Sequence, residues 1–216
     1  MYNTNQNKSS VVNLDMEFVK EFAIFLHQKE IIKFGEFTLA SGKKSSYYVD
    51  LRLVPSYPHQ FRTMIKYLQN NIVESIGLNS FDSLVSVPTG GLIIASALAI
   101  EIVKPLIYVR SKPKDYGTSK SIEGQIYEGM KVVMIDDVAT TGGSVVNAIK
   151  SLKEANITIK DAYVIVNRME GADEALKDLG VKLHSITNVI QITQALHEQK
   201  LVDDDILEKV RNQIGK

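Results

Sequence analysis

The sequence predicts an α/β chain with a central parallel β-sheet flanked by helices, and two stretches carry that expectation. Val132, Val133, Met134 and Ile135 form an unbroken apolar run without helical spacing, as in a strand buried on both faces. Ser83, Leu84, Val85, Ser86 and Val87 form a shorter run of the same kind. Each leads through small residues into a helical pattern, Val145, Val146, Ala148, Ile149 and Leu152 after the first and residues 92–103 after the second.

The other elements follow in order. Residues 1–12 are polar and lack the apolar core of a signal peptide, so a disordered tail is expected there. Phe18, Phe22, Phe25 and Leu26 recur at helical spacing, with Asp15 as the expected N-cap. Residues 34–52 alternate in short pieces around Ser41 and Gly42, which reads as a β-hairpin. Phe61, Met64, Ile65, Leu68, Ile72 and Val73 mark a helix over 58–76. A strand at 105–109 ends on Arg110, after which residues 110–124 are polar and aperiodic. A stretch of that length inside a domain suits a functional lid, and Arg110, Lys112, Lys114 and Lys120 suit an anionic leaving group.

A β-rich run at 157–166 ends near Arg168, where an arginine can grip a planar carboxylate at two points; a surface pair with Glu170 is the competing reading. A short helix at 172–179, a strand at 181–186 and helices at 189–196 and 206–214 complete the chain. Asp203, Asp204 and Asp205 read as a helix cap, not as a metal site.

Composition narrows the function classes. A chain of 216 residues suits one domain with a real core, and 25 basic against 25 acidic side chains argue against a nucleic-acid binder. There is no cysteine, hence no disulfide and no thiolate chemistry. The longest apolar run, residues 91–103, is interrupted by Glu101 and is too short for a bilayer, so a soluble cytoplasmic protein is expected. His27, His59, His184 and His197 match no metal or triad spacing.

The chemistry concentrates where the run at Val132 opens onto Asp136 and Asp137. Paired acids at the end of a buried strand call for a cationic or polyhydroxylated partner. The small residues Thr140, Thr141, Gly142, Gly143 and Ser144 before a helix point backbone N–H groups at an anion. Phosphate and hydroxyls on one ligand describe a sugar phosphate. An ordinary strand–helix turn with two solvated acids is the alternative. There is no GxGxxG, and Gly42-Lys43-Lys44-Ser45 lacks Walker spacing.

This stretch resembles the phosphoribosyl-pyrophosphate signature of the type I phosphoribosyltransferases. Phe34-Gly35-Glu36-Phe37-Thr38-Leu39-Ala40-Ser41-Gly42-Lys43-Lys44-Ser45 is similar to the N-terminal signature of the orotate phosphoribosyltransferases, a hood over the base. Arg110-Ser111-Lys112-Pro113-Lys114-Asp115-Tyr116-Gly117 is similar to their flexible catalytic loop, and Arg168 matches their orotate-binding arginine. These motifs stand in the family's order, and the resemblance covers the chain from about Phe18 to Leu196.

The resemblance implies a type I phosphoribosyltransferase fold with a small N-terminal hood. It also implies a single domain over 13–216, with the hood at about 34–54 and the catalytic loop at about 111–128. The implied reaction joins orotate to phosphoribosyl pyrophosphate, giving orotidine 5′-monophosphate and pyrophosphate. Phosphoribosyl pyrophosphate would be bound by Arg110, Ser111, Lys112, Lys114, Tyr116, Asp136, Asp137, Val138, Ala139, Thr140, Thr141, Gly142, Gly143 and Ser144. Orotate would be met by Thr140, Arg168, Tyr48 and Val49, with Lys114, Asp136 and Asp137 as the catalytic group.

Mg²⁺ is implied, held chiefly through substrate oxygens with Asp136 and Asp137 as the nearest protein groups. So is a homodimer in which each catalytic loop serves the neighbouring site, with no nucleic-acid or membrane partner. The chain departs from the family at Ala40, where several members have lysine, and at Ser111, where lysine usually follows the arginine. Lys43 or Lys44, and Lys112, are the candidate substitutes. Tyr116 stands where bacterial relatives often have histidine. Transfer to another base, or a regulator that senses phosphoribosyl pyrophosphate without turnover, remain as alternatives.

Overall fold

The structure is a computed structural model that describes residues 4–38, 42–110 and 121–214, with side chains from Met16 onward. Two compact units emerge, Leu51–Ile186, and Met1–Asp50 with Thr187–Lys216.

The larger unit holds the parallel sheet. Its strands are β3 (Ser83–Ser86), β4 (Leu106–Val109), β5 (Ile122–Glu123), β6 (Lys131–Ala139) and β7 (Thr158–Asn167), and β8 (Lys182–Asn188) leads out of it. The order is β5-β4-β3-β6-β7-β8. β3 runs parallel to β4 and β6, and β6 parallel to β7, while β5 is antiparallel to β4. β3 is buried throughout and β6 from Val132 to Asp136, as expected of central strands covered on both faces.

The helices of this unit are α2 (Pro58–Ser75), α3 (Gly90–Ile102), α4 (Gly143–Glu154) and α5 (Ala172–Lys177). From α4, Val145, Ala148, Ile149 and Leu152 enter one core with Val132, Met134, Ile159 and Ala162 of the strands. Burial of such side chains contributes roughly 1.5–3 kcal/mol each. α3 packs against β3 and β6. β5 lies inside the segment expected to be an aperiodic lid; Val109 pairs with Ile122, a two-residue strand too short to leave a period in the sequence.

The smaller unit contains helix α1 (Thr4–Gln28), hairpin strands β1 (Ile32–Thr38) and β2 (Lys44–Val49), and helices α6 (Val189–Glu198) and α7 (Asp204–Ile214). The strands are antiparallel, with an irregularity between Phe34 and Phe37. Tyr47, Val189 and Val210 form its core with Phe34, Val49, Ile190 and Ile214 around them. Asn188 and Gln191 form a capping box on α6, and Asp203 accepts from Ile206 N at 2.9 Å to cap α7 as expected.

Two expectations change here. α1 begins at Thr4, so the segment expected as a disordered tail is helical from there, and Asp15 lies within the helix instead of capping it. No glycine or proline interrupts residues 4–28, so nothing local stops the helix at Asp15. The hairpin and terminal helices have a core of their own. The expected turn at Ser41, and Ala40, lie outside the described residues.

Candidate active site

Parallel pairing of β4, β3, β6 and β7 brings their C-terminal ends to one edge of the sheet. Chain order reverses between β3 and β6, with β4 on one side and β7 on the other, and this is the position where open α/β sheets bind ligands. The edge carries Gly90 and Gly91 after β3, Arg110 after β4, Asp136 to Ser144 along and after β6, and Arg168 after β7.

The acids belong to the strand itself. β3 stops at the pair Ser86 and Ile135, whereas β6 continues beside β7 through Asp136 with Val164 and Ala139 with Asn167. The room left where β3 ends is taken by the start of α3. A Cβ on Gly91 would meet Asp136 and stand 2.8 Å from both its Cα and Ser86 Oγ, and one on Gly90 would collide with the Asp137 carboxylate. The glycine pair makes room for the acids where α3 begins.

Asp136 is buried and its Oδ1 accepts from Asp137 N at 2.9 Å. Burial first, and then the neighbouring Asp137 charge, push the Asp136 carboxyl well above the usual range. Val138 is half-buried and Ala139 buried in the strand, while Thr141, Gly143 and Ser144 are exposed and Thr140 half-exposed. Gly142 adopts φ +76° as it enters α4, a left-handed conformation that favours glycine, and its carbonyl accepts from Val146 N at 2.8 Å. The loop therefore opens to solvent at a helix N-terminus, suited to an anion.

Arg168 N donates to Ala139 O at 2.8 Å, fixing the arginine next to the loop that follows β6. Its buried guanidinium pairs with Glu170, with Nη2 to Oε1 at 2.9 Å. Arg110 N donates to Ser121 O at 2.8 Å and its Nη1 pairs with Glu123 of β5 at 3.1 Å, so the two ends of residues 111–120 are joined. Tyr48 and Val49 belong to the smaller unit. Tyr48 lies beside Phe37, with ring centroids 5.8 Å apart, and Val49 packs against that unit's core. Lys44 Nζ donates to Thr38 Oγ1 at 2.9 Å. Ser111, Lys112, Lys114 and Tyr116 lie outside the described residues.

Comparison with known proteins shows the family of the chain. Residues 59–199 match the family model described as a phosphoribosyl transferase domain. The orotate phosphoribosyltransferase of Cenarchaeum symbiosum (strain A) is 48% identical over 195 residues, 90% of this chain and 98% of that protein. The chain belongs to the orotate phosphoribosyltransferase family. Among solved structures, that of the orotate phosphoribosyltransferase from Aeropyrum pernix is 34% identical with a TM-score of 0.72, covering 84% of this chain and 99% of that one. The Leishmania donovani UMP synthase structure is 31% identical with a TM-score of 0.78, covering 91% of this chain and 42% of that one. The fold is accordingly that of the type I phosphoribosyltransferases, a mainly parallel central sheet flanked by helices.

In this family member, Glu123 and Glu170 are partners of proposed site residues that the sequence reading did not assign. The Arg-x-Glu spacing at 168–170 was legible, but only as a surface pair. Among the described residues no group of three or more His, Asp or Glu side chains could hold a metal ion. Asp136 and Asp137 alone suit an ion that keeps water and substrate oxygens for most of its ligands, as Mg²⁺ does. Among the described residues, no helix is long and apolar enough to cross a membrane.

Proposed function

We propose that this chain transfers the 5-phosphoribosyl group of phosphoribosyl pyrophosphate to orotate, releasing pyrophosphate and forming orotidine 5′-monophosphate for pyrimidine nucleotide synthesis. The observation that carries the reading is the pairing, on one sheet edge, of the Asp136–Asp137 strand and its phosphate-sized loop with the buried Arg168. Acids and loop suit a phosphorylated ribose; the arginine suits a carboxylate that orotate has and uracil and purines lack.

The reaction needs no protein nucleophile, because an orotate nitrogen attacks C1′ as the bond to pyrophosphate breaks. Positive charge develops on the ribose ring, and the site has to position the partners and neutralise the leaving group. Asp136 and Asp137 orient the ribose hydroxyls. Val138, Ala139, Thr140, Thr141, Gly142, Gly143 and Ser144 hold the 5′-phosphate. Arg168 grips the orotate carboxylate, with Thr140 at the base. Arg110, Ser111, Lys112, Lys114 and Tyr116 meet the pyrophosphate. Asp136 and Asp137 are the residues that would hold Mg²⁺, which would supply charge neutralisation for the leaving pyrophosphate.

The working unit in this reading is a cytoplasmic homodimer. Support comes from the end of α3, where Ile100 and, just past the helix, Val103 are 81% and 87% exposed in the single chain. Sedimentation should report a mass twice the chain's 24.1 kDa, and a monomer at working concentration would remove that part.

The test of the function is loss of orotate absorbance with phosphoribosyl pyrophosphate and Mg²⁺, each omitted in turn. Consumption that requires all components is expected. Turnover of uracil or a purine instead would overturn the assignment of the base.

A further inference from the structure

We propose that Glu170 is a positioning residue for orotate, acting through Arg168. The proposal deepens the reading above and rests on Arg168 as the group that meets the orotate carboxylate.

After β7 ends at Asn167, the chain makes a tight turn that local chemistry does not favour. Met169 adopts φ +58°, a left-handed conformation uncommon for a residue with a Cβ, and its apolar side chain is 41% exposed. Packing of Met169 therefore does not account for the turn. Asn167 holds it from both sides. Its Oδ1 accepts from Met169 N at 2.8 Å, and its Nδ2 donates to Asp173 Oδ2 at 2.7 Å at the start of α5.

The turn brings the Glu170 carboxylate back onto Arg168. Oε1 accepts from Nε at 3.2 Å and from Nη2 at 2.9 Å, so one oxygen spans one edge of the guanidinium and sets its plane. The side chains of Arg168 and Glu170 are 6% and 1% exposed. A buried ion pair is a poor route to stability, because an apolar pair of similar volume usually serves as well or better. A strained residue, an asparagine brace and a buried acid that together fix one arginine point to a geometric task.

Two substitutions separate reach from charge. Glu170→Asp keeps the charge and shortens the side chain, and Glu170→Gln keeps the reach and removes the charge. In steady-state assays, Glu170→Asp is expected to raise the KM for orotate about tenfold with the KM for phosphoribosyl pyrophosphate unchanged. Glu170→Gln, whose amide oxygen still spans Nε and Nη2, should raise the orotate KM by less than Glu170→Asp does, with the KM for phosphoribosyl pyrophosphate again unchanged. The role is overturned if Glu170→Asp leaves the orotate KM unchanged, if it raises both KM values equally, or if Glu170→Gln loses as much as Glu170→Asp. A wild-type chain that fails to consume orotate removes the underlying reading; one that turns over normally beside an unaffected Glu170→Asp removes only Glu170.

Discussion

Gly91→Ala tests the packing of the acid pair most directly. The added methyl would lie 2.8 Å from Asp136 Cα, a backbone atom that no rotamer change can move away. Reaching the 3.4 Å of ordinary contact requires the first turn of α3 to draw back from β6 by about 0.6 Å, or the strand to yield as much. Overpacking of this kind costs roughly 1–3 kcal/mol. For a chain of this size that corresponds to a melting temperature lower by roughly 2–12 °C. The same shift moves Asp136, and misplacement approaching 1 Å at a reacting centre costs on the order of 100-fold in rate.

We therefore expect Gly91→Ala to lower both Tm, followed by circular dichroism, and kcat/KM for phosphoribosyl pyrophosphate, by roughly 10- to 100-fold. Gly90→Ala is the control. Its methyl meets only the carboxylate end of the half-exposed Asp137, which can swing outward, so turnover should fall while Tm stays within about 2 °C of wild type. A Gly91→Ala protein with wild-type Tm and wild-type kcat/KM would refute the account of why glycine stands there.

Arg168→Ala should raise the KM for orotate by about 10- to 150-fold, the equivalent of a lost charge-assisted hydrogen bond, and leave that for phosphoribosyl pyrophosphate nearly unchanged; equal losses would contradict its assignment to the base. Asp82 accepts from Lys131 N at 2.8 Å, and that bond holds its carboxyl below the usual range, so its stabilising contribution is complete above the unfolded value near pH 3.9 and is lost as pH falls through the folded one. Asp82→Asn should thus be less stable than wild type in denaturant melts at pH 7, with the gap closing below about pH 4; a gap independent of pH would exclude this source. Asp136→Asn should abolish turnover yet raise the Tm of the free chain by roughly 1–8 °C, since it removes a buried charge beside a like charge, and a lowered Tm would show the charge to be compensated within the chain.

The strands and helices of the larger unit were legible because they carry strong periods. The run Val132 to Ile135 can only be covered on both faces, and the stripe from Phe61 to Ile72 has one apolar side. The start of α1 is not legible because the composition from Thr4 is polar, although nothing there breaks a helix. The core of the smaller unit depends on Tyr47 meeting Val189 and Val210, contacts across more than a hundred residues that no local pattern records. Within the site, the acids and the loop could be read because their chemistry is compact in sequence. Arg168 could be read as cationic but not as buried, because its burial comes from a turn at Met169 whose positive φ is carried by no glycine.

The length of β6 relative to β3 ties the fold to the chemistry. Had β3 continued past Ser86, Asp136 would face a ladder partner and the acids would sit in the middle of a sheet. Because β3 stops there, Asp136 passes beneath the first turn of α3, flanked by β7 alone, and its carboxylate is withdrawn from water beside the like charge of Asp137. Withdrawal is unfavourable in the free chain and favourable to any ligand that brings hydroxyl donors or positive charge, since such partners interact more strongly where water does not compete. The cost and the affinity have one structural cause, so a substitution that relieves the first should remove the second.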